Sequence, residues 1–99
     1  MPSPSAFDPL LFEAIAEQLR MDVQTLERES LKTYLEYRLV SLKAEQFHIA
    51  GKYGIKTFED MERCYREQRL SEQHSWEDFF KLDHIESEIA ATEQAMEQL

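Results

Sequence analysis

The chain has 99 residues, 42% of them hydrophobic, with 20 acidic against 11 basic side chains and a net charge of -9. That is the size of one small domain with a thin core, which excludes a second domain. The negative charge repels nucleic acid and anionic membrane surfaces and favours a basic protein partner.

Residues 1–7 hold two of the three prolines and two serines, and this composition predicts a loose terminus. Asp8 then offers a side-chain cap and Pro9 suits a first helical turn, where its missing N–H costs nothing. Leu11, Phe12, Ile15, Ala16 and Leu19 follow at helical spacing, so a first helix is expected over 9–19, burying that stripe.

Arg20, Met21 and Asp22 make a short break, with Asp22 placed to cap a second helix. From Val23 to Tyr53 there is no proline, and Gly54 ends the run with a residue that accepts the left-handed conformation. Leu35, Leu39, Leu42, Gln46, Ile49 and Tyr53 step by four and three, while Leu26, Leu31, Tyr34, Val40 and Phe47 are expected to widen the apolar face. A helix of this length spans about 46 Å at 1.5 Å per residue, whereas a compact domain of about 100 residues has a radius of gyration near 13 Å. The helix therefore overhangs its own globule. The expectation is a homodimer or other assembly in which Leu35, Leu39, Leu42, Ile49 and Tyr53 supply the shared interface.

Thr57, Phe58, Glu59 and Asp60 carry a capping pattern for a third helix over about 58–68, with Met61, Cys64 and Tyr65 on its inner side. The polar stretch 70–74 is expected to be a loop. Ser75 repeats the cap pattern, with Glu77 and Asp78 in the first turn where they complement the helix dipole, and a fourth helix is expected over 76–99. Its Leu82, Ile85, Ile89, Thr92, Met96 and Leu99 keep a heptad seam for more than two heptads, and the long helix is the neighbour that seam requires. Period-two alternation is absent, so the expected class is all-α: four helices in one domain over 8–99.

The last quarter of the chain holds seven acids against the single base Lys81, six of the net negative charges. Trp76, Phe79 and Phe80 form an aromatic knot just ahead of most of them. Large aromatics dominate interface energetics, and Trp76, Phe79, Phe80, Glu86, Glu88 and Glu93 are the candidate partner-binding residues. The competing account wedges the rings onto the core and leaves the acids as a solvated face. Three large rings on adjacent turns cannot all point the same way.

Glu45 and His48 have the i, i+3 spacing that metal-binding helical bundles use. Across a dimer, with Glu13, Glu17 or Glu36 as extra ligands, they make a metal-binding helical protein the alternative function. Asp83, His84 and Glu88 form a similar group, and an ordinary solvated face accounts for both. Cys64 is the lone cysteine, so no intrachain disulfide forms and a reducing cytoplasm is expected. It reads as a small core residue. Phosphate-binding glycine loops, zinc patterns and hydrolase motifs are missing, and no enzyme activity, metal or cofactor is assigned. The terminus has no signal-peptide pattern and no run approaches a membrane span.

Two resemblances add to this. From Leu10 to Leu39 an apolar helix, the turn Arg20–Val23 and the stretch Leu26–Leu35 resemble the helices of ribbon-helix-helix regulators. In those proteins a preceding strand reads DNA. Here Pro2, Ser3, Pro4 and Ser5, without a basic residue, stand in its place, so DNA is the weaker of the expected partners and an autoregulator the third functional alternative. From Glu45 onward, Lys52 through Glu59, Ser75 through Phe79 and the acidic last helix are similar to small helical antitoxin-like proteins of toxin–antitoxin pairs, of the TumA type. That resemblance implies an antitoxin that binds and neutralises a toxic partner such as an RNase.

Overall fold

The computed structural model describes residues 8–99. The loose terminus expected over residues 1–7, and with it the place of a ribbon strand, lies outside the described residues.

Four helices follow in order: α1 (Pro9–Leu19), α2 (Val23–Lys52), α3 (Phe58–Arg66) and α4 (Glu72–Glu97). The fold is all-α, as the periodicity predicts. Asp8 accepts from the Leu10 N–H at 2.9 Å and Asp22 from the Thr25 N–H at 3.4 Å, so both helix starts use their expected caps. Thr57 and Asp60 close a full capping box on α3. At the end of α2, Gly54 sits at φ 68° while the Ile55 and Gly54 N–H groups return to the carbonyls of Ala50 and Gly51. This double return satisfies the orphan carbonyls that every helix end leaves.

The fourth helix starts earlier than expected. Ser75 does not cap it; its side chain is buried inside the first turn, donating to the Ser71 carbonyl and sharing a hydrogen bond with the Tyr65 hydroxyl. With the hydroxyl satisfied that way, the polar stretch after Leu70 joins the helix as an extra turn. α3 correspondingly stops at Arg66, and Gln68 takes the left-handed conformation that turns the chain.

α2 and α4 lie antiparallel and make the principal packing of the molecule. Arg28 near the start of α2 donates to the carbonyl of Leu99, Arg38 meets Glu88 at 2.5 Å, and Tyr53 meets Asp78 at 2.5 Å. Between these ties run the two seams. Leu82, Ile85, Ile89 and Thr92 are buried on α4, and Ile49 is buried on α2 with Leu39, Leu42 and Tyr53 packed around it. α3 closes one end through Met61 and Cys64, both buried, with Ile55, Phe58 and Tyr65 against the same core. The radius of gyration is 19.7 Å and the extents are 60 × 31 × 20 Å, well above the roughly 13 Å radius of a compact domain of this size.

Two expectations about buried faces are corrected by this packing. Leu39, Leu42, Ile49 and Tyr53, expected in a dimer interface, pack instead in the chain's own core with α4, and Leu35 on the same stripe is half-buried. Nor does α1 bury its stripe: Ala16 is buried and Phe12 half-buried, but Leu11, Ile15 and Leu19 stay exposed. A short helix lying on a single neighbour has only one strip to cover.

Candidate interaction surface

The aromatic knot divides as three rings on adjacent turns must. Phe79 turns inward, 4.6 Å from Phe58 and 5.1 Å from Tyr65 between ring centroids, and fastens α4 to α3. Trp76 and Phe80 turn outward, 53% and 60% exposed, and meet edge to face at 6.2 Å. That geometry suits the aromatic quadrupole. Together with Glu62, Tyr65 and Arg66 they line a cavity of about 340 Å³ between α3 and α4. Asp83 follows Phe80 by three residues on the exposed side of the same helix, and Glu77 adjoins Trp76.

The acids of α4 sort into two groups. Glu86 accepts from the Phe58 N–H at 2.7 Å and from the Gln46 amide at 3.1 Å. It thus sits at the N-terminus of α3, where the helix dipole favours a carboxylate, and ties three helices together. Glu88 is held by Arg38, with His84 3.8 Å away on the next turn. Asp78 accepts from the Tyr53 hydroxyl and lies 3.5 Å from the Lys52 ammonium. The Tyr53 bond, ahead of the charge of Lys52, holds the Asp78 carboxyl below the usual carboxylate range. Burial and then Asp78 itself push the Tyr53 phenol up to about 12. Glu77, Asp83, Glu93 and Glu97 face solvent. Among the candidate partner-binding residues, Trp76, Phe80 and Glu93 therefore stand free on the surface, while Phe79, Glu86 and Glu88 are engaged within the chain.

Glu45 and His48 are exposed, and Glu45 lies 3.9 Å from the ammonium of Lys81 rather than with a third ligand. Among the described residues, no three of His, Cys, Asp and Glu come together in a metal-ligating group. Cys64 is buried. No helix among them is long and apolar enough to cross a membrane.

Val40 and Phe47, contrary to expectation, do not widen the stripe facing α4. They are 68% and 82% exposed, on the opposite side of α2, with Tyr34 and Tyr37 also exposed. Counting steps of four and three from Leu26 instead of from Leu35 would have separated the two faces.

No curated protein and no solved structure matches the chain. One family model spans nearly its whole length, residues 5–99, and the chain belongs to that family, the uncharacterized protein MJ0235 family.

Proposed function

We propose that this chain is a protein-interaction subunit that docks a basic protein partner on the Trp76–Phe80 face, in the manner of an antitoxin silencing a toxic enzyme such as an RNase. The observation that carries the reading is the pair of outward rings, each more than half exposed, at the mouth of a cavity between two helices. Clustered aromatic anchors beside a pocket are what hot spots are made of. Glu77 and Asp83 flank them with exposed negative charge, and Glu93 adds more, about 20 Å further along α4 at 1.5 Å per residue, on a chain of net charge -9. This charge steers a basic partner and sets its orientation more than it adds affinity. Metal binding at Glu45 and His48 has less support, since Lys81 lies against Glu45.

The test is co-purification of the tagged chain with the product of the neighbouring gene, followed by titration calorimetry. Trp76→Ala with Phe80→Ala is expected to weaken binding by at least about 30-fold, the effect of losing roughly 2 kcal/mol of anchor. Helix content stays unchanged, because both rings are at the surface. Asp83→Lys with Glu93→Lys slows association and lowers its salt dependence. Unaltered affinity in the double alanine variant sinks the proposal.

A further inference from the structure

α2 carries a second stripe, on the side turned away from α4. Leu26, Ser30, Thr33 and Tyr37 begin it, and Val40, Ala44, Phe47 and Gly51 continue it at unbroken steps of four and three without a single charged position. Such spacing is a coiled-coil seam, here about 38 Å long at 1.5 Å per residue. The described chain leaves most of it open: Tyr37 is 71% exposed, Val40 68% and Phe47 82%, while Leu26 is half-buried. Along its first half lies a shallow groove of about 660 Å³, bounded by Met21, Leu26, Ser30, Thr33, Tyr34 and Tyr37.

The order of side-chain sizes selects the occupant. When the stripe runs antiparallel to a second copy of itself, with the two-fold axis between residues 38 and 39, Tyr37 lies against the partner's Val40 and Thr33 against the partner's Ala44. Ser30 then receives the partner's Phe47, and Leu26 meets the partner's Gly51. The Ser30–Phe47 and Leu26–Gly51 layers each set one large side chain against one that leaves room for it, a complementary way to fill a core. A parallel pair would stack Phe47 on its own copy and leave Ser30 and Gly51 facing theirs.

The flanks agree with the same register. Glu36 comes beside the partner's Lys43, twice by symmetry, and Glu27 beside the partner's His48. In the parallel arrangement Glu36 would instead meet the partner's Ser41. Gly51 supplies a further observation. A Cβ there meets nothing within 4 Å, so the chain's own packing does not require glycine, although glycine within a helix costs about 0.5–1 kcal/mol relative to alanine. A leucine approaching from a second copy does require it.

We propose that the chain forms an antiparallel homodimer through the outer face of α2, each subunit seating its Phe47 ring in the partner's groove at Ser30 and Thr33. The interface is separate from Trp76 and Phe80, which lie on α4, so either proposal can fail alone.

Sedimentation equilibrium on the full chain at micromolar concentration is expected to give a dimer. Val40→Asp with Phe47→Glu halves the mass and leaves the helical circular dichroism signal intact, both positions being solvent-exposed in the single chain. Glu36→Lys alone weakens the dimer about tenfold by turning two attractions into repulsions, and Glu36→Lys with Lys43→Glu restores it. A monomeric parent chain, or a dimer that survives the Val40 and Phe47 substitutions, overturns the interface. Failure of the charge swap to restore association overturns the antiparallel register.

Discussion

Tyr53 and Asp78 join the end of α2 to the start of α4 through one hydrogen bond, and its consequences run through both ends of the pH range. The Asp78 carboxyl titrates below its ordinary value, chiefly through the Tyr53 bond. Its stabilising contribution is therefore complete above the unfolded carboxyl's pKa of about 3.9 and is lost as pH falls through the lowered folded value. Tyr53 behaves in the opposite sense, its phenol pushed up to about 12. That contribution is intact below the unfolded phenol's pKa of about 10 and is lost as pH rises toward the folded value. Tyr53→Phe removes the donor while keeping the ring packed. We expect it to cost about 1 kcal/mol at neutral pH, to move the acid unfolding midpoint to higher pH, and to delete the latest phenol ionisation from an ultraviolet titration. If the late ionisation persists in the variant, the assignment to Tyr53 is wrong.

Helix starts were legible in the sequence wherever a capping side chain had only its own backbone to bond, as at Asp8, Asp22 and Thr57. Ser75 misled because its hydroxyl found Tyr65 and the Ser71 carbonyl instead, and Tyr65 comes near only after α3 and α4 dock. The α4 seam was legible over Leu82, Ile85, Ile89 and Thr92, all buried, since a heptad repeat states both which residues are buried and that a long neighbour covers them; Met96 and Leu99 at its end are half-buried. Within it Leu82 and Thr92 make opposite predictions. Leu82 is completely buried, so Leu82→Ala should cost about 2–5 kcal/mol in chemical denaturation through lost transfer energy and the cavity left behind. Thr92, also buried, spends its hydroxyl on the Glu88 carbonyl one turn back. That back-bond slightly weakens a helix, and Thr92→Val keeps the shape while sparing the burial of a polar group. We expect the valine variant to equal or exceed the parent in stability, by up to about 1 kcal/mol; a loss of that size would show that the hydroxyl supports the seam.

The molecule as a whole is a helical hairpin 60 Å long and 20 Å through its thinnest direction, and a pair of long helices has two outer sides for every inner one. The length of α2 argues for assembly without saying which face assembles. The stripe with the strongest aliphatic repeat went to α4, and the stripe interrupted by serine, threonine, alanine and glycine was left outside. Those small residues hide the outer stripe from a count of apolar positions, and in an antiparallel pair they are what makes room for the large ones. Gly51 separates the two requirements in one substitution. In the single chain Gly51→Leu enters open space and replaces the poorest non-proline helix former with a good one, a gain of up to about 0.8 kcal/mol. In the dimer the same side chain meets the partner's Leu26 at both ends of the seam. Unfolding of the dilute, dissociated protein should therefore shift to higher denaturant while the dissociation constant rises about tenfold or more, the result of overpacking by at least about 1.4 kcal/mol over two symmetric contacts. A variant that gains stability without losing association would place Gly51 outside the interface and move the two-fold axis away from residues 38 and 39.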